Sequence, residues 1–262
     1  MKLSIITINK NNSPGLERTI QSVINQTFRD FEYIIIDGAS TDGSVEIIKK
    51  YQNKIDYWVS EPDRGIYHAM NKGIKVAKGE YLLFLNSGDW LTDDTILEKV
   101  FSIDFNEDIV YGNIMVDEKF IKKYPNKITL KYFLEDSLPH PATLIKKKLF
   151  NTIGRYNESL KIAADWEFFL RAIVLNSASI KKIELAITHF YTDGISSYNI
   201  DMVQKEKKQI ISLLLKYIIP DYNYFFKLEN EYKKLISSRL IKFCIKIRQL
   251  KIYNFLWKKF LS

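Results

Sequence analysis

An aspartate placed at the end of an apolar strand is the clearest chemical signal in the chain. Tyr81–Leu85 is a continuous apolar run, and Asn86-Ser87-Gly88-Asp89 follows it at once. Such runs read as central strands of a parallel sheet covered on both faces, and open α/β sheets bind ligands beyond the carboxyl ends of their strands. A carboxylate there can hold Mg²⁺ or Mn²⁺ together with substrate phosphates, because both ions prefer oxygen ligands. The same Asp89 would also serve to cap the turn before Trp90 and Leu91. A second acidic segment, Lys161-Ile162-Ala163-Ala164-Asp165-Trp166-Glu167, opens a helix-patterned stretch. Its Asp165 suits either proton abstraction or helix capping. Thr7 and Asn9 end the first strand and Asp37 ends the second, which sets all three along one edge. An ionised Asp37 can only accept hydrogen bonds, and Asp37-Gly38 is equally a strand-ending turn.

Alternating elements position these groups. Strands are predicted over Leu3–Ile8, Phe31–Ile36, Tyr57–Ser60 and Tyr81–Leu85, with helices over Gly15–Asn25, Ser44–Tyr51 and from about Ile66. That order implies a mainly parallel sheet with crossover helices. Ser13-Pro14 and Thr41-Asp42-Gly43 supply helix starts, with Pro early and Asp or Ser capping. Ile109–Tyr124 reads as strand-rich with a turn at Asp117 and Glu118, Tyr132–Pro141 as a loop or short helix, and Ala164–Leu175 as a helix. After Gly194-Ile195-Ser196-Ser197 the composition turns Lys-rich and amphipathic, which sets a boundary near residue 198.

Taken together, MKLSIITINKN at the amino terminus, DGASTDGS after the second strand and EPDRGIYHAMNKGIKVAKGEYLLFLNSGDWL from Glu61 to Leu91 resemble family 2 glycosyltransferases. These are nucleotide-sugar-dependent enzymes of GT-A fold, and the likeness is to bacterial enzymes of capsule, O-antigen or colanic acid assembly. It covers roughly the first 190 residues. The resemblance implies a Rossmann-like α/β catalytic domain over 1–198, with a nucleotide-sugar-binding half to about residue 100 and an acceptor half beyond it. It implies inverting transfer from a UDP-sugar to a saccharide, typically lipid-linked. Thr7, Asn9, Asp37, Asp63, Arg64 and Asn71 would then bind the donor, Asp89 the divalent metal, and Asp165 would be the base, with Glu167 as the alternative. His140, in Pro139-His140-Pro141, and His189 would lie on the acceptor or diphosphate side. Three departures stand out: Asn86-Ser87-Gly88-Asp89 replaces a DxD-like cluster, Ala164 replaces the Glu before the base, and His68 stands where an Asp is expected.

Composition bounds the remaining classes. The hydrophobic content of 46% supports a substantial core, and the single Cys244 excludes an internal disulfide and suits a reducing, cytoplasmic compartment. Lys2 followed by Leu3–Ile8 is too short and too quickly polar for a secretory signal, and no uncharged apolar run of about 18 residues reads as a membrane span. The net charge of +8 is unevenly divided: residues 201–262 hold 14 Lys/Arg against 5 Asp/Glu, the preceding part 25 against 26. Between Leu235 and Ser262 seven basic residues accompany an apolar stripe of Ile236, Leu240, Phe243, Ile247 and Leu250, with Trp257 and Phe260 beyond. A basic amphipathic helix of this kind fits the surface of an anionic membrane, and the expected location is therefore peripheral, at the inner face. The same stripe would also serve to pack on the catalytic domain or on a second subunit. Nucleic acid is disfavoured, since no recognition module accompanies the charge. Two other functions compete: a nucleotidyltransferase, for which Thr7–Gly15 lacks a Gly-rich phosphate loop, and a non-catalytic nucleotide-sugar or membrane-binding module.

Overall fold

The computed structural model describes residues 1–191, 199–239 and 241–242. The chain divides into two compact units, Met1–Lys207 and Lys208–Ser262. In the first unit, strand and helix alternate as β1 (Leu3–Asn9), α1 (Ser13–Ile24), β2 (Phe31–Asp37), α2 (Ser44–Lys50), β3 (Tyr57–Ser60), α3 (Ile66–Val76) and β4 (Tyr81–Phe84). β5 (Trp90–Leu91), α4 (Ile96–Ser102), β6 (Ile109–Val116), β7 (Phe120–Lys122), α5 (Leu130–Glu135), β8 (Thr143–Lys146), α6 (Lys147–Thr152), α7 (Ala164–Phe169) and β9 (Ile180–Phe190) follow. Two further helices are α8 (Ile200–Leu214) and α9 (Ile219–Ser237).

The described strands form one sheet in the order β3-β2-β1-β4-β8-β6-β9-β5, with β7 paired to β6. Its first four strands are parallel. Every residue of β1 and β4 is buried, as a strand covered by helices on both faces requires. The register sets Asn9 beside Asp37 and Asp37 beside Ser60, so three polar side chains form a row at one carboxyl edge. From β8 onward the sheet is mixed, since β8 runs antiparallel to both β4 and β6, whereas β9 runs parallel to β6. α3 lies close on the sheet at Gly73, where an added Cβ would meet Ile6 Cγ2 at 2.5 Å.

The turn expected at Asp117 and Glu118 is present, with both residues at positive φ between β6 and β7. Three local expectations need correction. The cap of α1 is Asn12 rather than Ser13: its Oδ1 accepts from Gly15 N at 3.1 Å. Asp42 accepts from Ser44 N and Oγ and from Ser13 N, tying two helix starts together, while the N-cap position of α2 is taken by Gly43 at φ 93°. The helix expected over Ala164–Leu175 is α-helical only to Phe169 and continues as a π-helical stretch over Leu170–Leu175. Among the described residues, no helix is long and apolar enough to cross a membrane. Gly194–Ser197 and nearly all of the basic stripe after Leu235 lie outside the described residues.

Candidate active site

The polar row at the ends of β1, β2 and β3 centres on Asp37. Its Oδ1 accepts from Asn9 Nδ2 at 2.7 Å and Ser40 Oγ at 2.6 Å, and its Oδ2 from Ser40 N at 2.9 Å and Ser60 Oγ at 2.6 Å. Burial pushes the Asp37 carboxyl up, but these donors outweigh it and hold the group below the ordinary carboxylate range. Thr7 is fully buried, its hydroxyl 3.0 Å from Tyr33 Oη inside the sheet. Asp63 packs over Gly38, where a Cβ would stand 2.3 Å from Asp63 Oδ2, and its Oδ1 accepts from Gly65 N. Arg64 is 75% exposed and pairs with Glu158 at 2.7 Å. Lys72, rather than being simply solvated, reaches back to Glu61 at 2.8 Å and to the Pro62 carbonyl. His68 accepts from Arg64 N through Nδ1.

The turn carrying Asp89 is held by the buried Thr19 of α1. Thr19 Oγ1 donates to the Asp89 carbonyl at 2.7 Å and accepts from Gly88 N at 3.1 Å. Gly88 has φ 106°, a conformation open to glycine at little cost. An aspartate at that position of a DxD-like cluster would be strained here, which gives a physical reason for the departure. Among the described residues no three His, Cys, Asp or Glu side chains gather as a preformed cation cage. The turn nevertheless suits a hard cation. Asn86 Oδ1 is buried without a hydrogen-bond partner among the described residues, three residues before the buried Asp89, and oxygen donors with one carboxylate plus substrate phosphates are a common Mg²⁺ or Mn²⁺ set.

β5 then pairs Trp90 with His189 of β9. The two rings stack at 4.7 Å, and the Arg18 guanidinium covers the Trp90 ring at 4.6 Å. His189 Nδ1 is buried and has no hydrogen-bond partner among the described residues, and burial lowers the affinity of this imidazole for a proton.

Asp165 lies in the first turn of α7, whose N-cap is Ala163, so it is not the cap. Tyr67 Oη stands 2.5 Å from the Ile162 carbonyl and 3.0 Å from Asp165 Oδ1, with its one proton between them. Burial, and then the Asp165 charge, push the Tyr67 phenol well above its usual value, so it remains a neutral donor. Asn71, one turn further along α3, bonds to both backbone groups of Tyr156 and to Glu158 Oε1. Its amide is thereby fully engaged in holding the approach to α7. Glu167 is ion-paired with Arg171 through Nε at 2.6 Å and Nη2 at 3.0 Å. That pairing engages both of its carboxylate oxygens, whereas Asp165 makes no ion pair among the described residues. His140 is buried, 2.8 Å from Tyr156 Oη through Nε2 and stacked on Phe84 at 5.0 Å.

Residues 4–169 match the family described as glycosyl transferase family 2. The chain belongs to that family. An uncharacterized glycosyltransferase of Mycobacterium tuberculosis is 35% identical over 211 residues, covering 75% of this chain and 77% of that protein. A PGL/p-HBAD biosynthesis glycosyltransferase of Mycobacterium bovis is 29% identical over 206 residues, covering 76% and 80%. Among solved structures, S. aureus TarS superimposes with a TM-score of 0.65 at 22% identity, over 81% of this chain and 40% of the TarS chain. The chain thus spans less than half of that protein. TarS 1-349 in complex with UDP-GlcNAc gives 0.62 at 24% identity, over 74% and 59%. A mannosyltransferase of Pyrobaculum calidifontis in complex with GDP-Man and Mn²⁺ gives 0.57 at 15%, over 72% and 56%. The α/β sheet flanked by helices is therefore that of GT-A glycosyltransferases.

Sequence reading missed Tyr67, which bonds the Asp165 segment of this glycosyltransferase, and Tyr156 and Glu158, which bond Asn71 of α3. Tyr67 sits in the GIYHAMNKG stretch that carried the family resemblance, four residues before Asn71, so both fall on one face of α3. That spacing was the available signal. Nothing local marks Tyr156 or Glu158.

Burial lowers the His140 pKa from its ordinary 6.5, with the Asp165 charge opposing the change. The unfolded chain therefore takes up a proton near pH 6.5 that the folded chain takes up only at lower pH, and stability falls as pH drops through that range. His140→Gln retains a polar partner for Tyr156 and lacks this titration. Urea unfolding at pH 7.5 and 5.5 should show a smaller loss of stability for the variant than for the parent; equal losses contradict the assignment.

Proposed function

We propose that this glycosyltransferase moves a sugar, with inversion, from a UDP-linked donor to a saccharide acceptor carried on a lipid, in assembly of a bacterial surface polysaccharide such as capsule or O-antigen. The reading is carried by one contrast. Of the two acids that open α7, Glu167 is locked to Arg171, while Asp165 accepts from a neutral phenol and makes no ion pair among the described residues.

In this reading the acceptor hydroxyl attacks the anomeric carbon as the bond from that carbon to the UDP oxygen breaks, and the hydroxyl proton passes to Asp165. Tyr67 holds the carboxylate in place and donates to Oδ1, leaving Oδ2 for the proton. The Asn9–Asp37–Ser60 row with Asp63 and Arg64 forms the donor edge, where Asp37 accepts from the uracil or ribose after exchanging one of its serine donors. Thr7 and Asn71 act behind it, fixing the strand end and the α7 approach. Asp89 and Asn86 Oδ1 would hold Mn²⁺ or Mg²⁺, which when bound offsets charge on the departing diphosphate. Arg18, over the Trp90 ring, and His189 supply further polar groups beside that turn. His140 supports Tyr156 on the acceptor side.

The basic composition after Leu235 supports a lipid-borne acceptor. Exposed Tyr224, Phe225 and Tyr232 on α9 add aromatic surface of the kind that favours a membrane interface. On this reading the enzyme works at the cytoplasmic face of the membrane.

A thermal-shift screen of UDP-sugars with Mn²⁺ identifies the donor. With it, Asp165→Asn should lower transfer about 10²–10⁴-fold, the range of general-base catalysis, while titration calorimetry finds donor affinity within about twofold; retained turnover removes Asp165 from the mechanism. Asp89→Asn should instead raise the Mn²⁺ concentration needed for half-maximal rate, and an unchanged metal dependence excludes it as a ligand. For the tail, replacing Arg239, Lys242, Lys246 and Arg248 together by Glu should release the protein from vesicles containing anionic lipid. Undiminished sedimentation with those vesicles would defeat the membrane reading.

A further inference from the structure

Three successive backbone amides converge on one side chain far away in sequence. Glu206 Oε1 accepts from Lys161 N at 2.7 Å, and Oε2 accepts from Ile162 N at 3.1 Å and Ala163 N at 3.0 Å. Glu206 lies on α8 within the first compact unit and is 8% exposed. A carboxylate taken out of water is costly unless hydrogen bonds replace its hydration, and charge-assisted bonds to backbone N–H groups are the stronger class. The amides concerned end at Ala163, the N-cap of α7, where helical N–H groups have no partners within the helix. Glu206 therefore takes the N-cap N–H of α7, as the glutamate of a capping box does, and fixes two residues ahead of it as well.

The peptide units on either side of Ile162 are gripped together. Its N–H is held by Glu206 and its C=O by Tyr67 Oη, and the same phenol touches Asp165 Oδ1. The residue after Glu206 adds to the arrangement: Lys207 Nζ stands 4.9 Å from the centroid of the Trp166 ring, the residue next to Asp165. No other carboxylate is bonded to the 161–163 amides among the described residues.

We propose that Glu206 is a positioning residue of the transfer reaction, holding the 161–163 backbone so that Asp165 meets the acceptor hydroxyl in reactive geometry. The inference rests on the reading of Asp165 as the base. Its physical basis is that catalytic groups must be held to within about 0.5 Å, and a misplacement of about 1 Å costs on the order of 10²-fold in rate. Neither the composition nor any local motif of α8 announces this role.

The test uses the full chain with Glu206→Ala, Glu206→Gln and Asp165→Asn, each first checked for native circular dichroism. Two quantities are measured: hydrogen exchange at the amides of Lys161, Ile162 and Ala163, and UDP release from UDP-GlcNAc, UDP-glucose and UDP-galactose with Mn²⁺. Glu206→Ala should speed exchange at those three amides at least about tenfold and lower kcat about 10–100-fold, the scale of a misplaced group, with donor KM within about twofold. Glu206→Gln should recover part of both, because its amide oxygen still accepts. Unchanged exchange overturns the proposal whichever donor is used, and so does faster exchange with unchanged kcat. If Asp165→Asn turns over normally, the base assignment fails, and the role proposed for Glu206 fails with it. If Asp165→Asn is inactive and Glu206→Ala is not, only the positioning role fails.

Discussion

The hydroxyl of Tyr67, set between the Ile162 carbonyl and Asp165 Oδ1, is the interaction on which the site depends. It joins two parts of the chain that no local signal connects. Tyr67 belongs to α3, which lies against the parallel strands through Gly73, so its position is fixed by the best-packed part of the protein. Asp165 belongs to a segment that reaches α7 through an irregular stretch. A helix seated on the sheet thus lends its rigidity to a carboxylate that its own surroundings would leave loosely held. Asn71 on the same face repeats the device by binding the backbone of Tyr156.

The electrostatics around Asp165 follow from the same packing. Burial holds His140 toward its neutral form, and burial followed by the Asp165 charge keeps the Tyr67 and Tyr156 phenols protonated. Of these neighbours Tyr67 bonds the Asp165 carboxylate, and it does so as a neutral donor. Glu167 shows the opposite outcome two residues away, where a guanidinium engages both oxygens. Asp37 is a third case: a carboxylate satisfied by hydroxyl, amide and backbone donors instead of a cation. Type and spacing alone do not separate these three acids; their partners do.

The parallel half was legible because its strands are buried on both faces and therefore appear as short apolar runs between turn residues. β1–β4 and the helices between them lie within a residue or two of their expected bounds. In the mixed half the β6–β7 turn was legible but the sheet order was not, because its pairings are long-range: β6 lies beside β9, about 70 residues later, and β5 is only two residues long. Asp89 could be found because a strand presents it. The engagement of Asp37 by Ser40 and Ser60 could not, since it depends on the register of β2 against β3. The grip of Glu206 on 161–163 has no sequence signature, because backbone amides carry no residue identity.

In the proposed reaction one carboxylate would hold the cation with the donor diphosphate while another, steadied by Tyr67, faces the bond being formed. A crystal structure of the protein with UDP and Mn²⁺ tests this most directly. The expected result is Mn²⁺ bound to a carboxylate oxygen of Asp89 and to the diphosphate, uracil on the Asp37 edge, and Asp165 Oδ2 open to the space beyond the diphosphate. Mn²⁺ or UDP seated away from Asp89, or Asp165 closed off from that space by packed side chains, would contradict it.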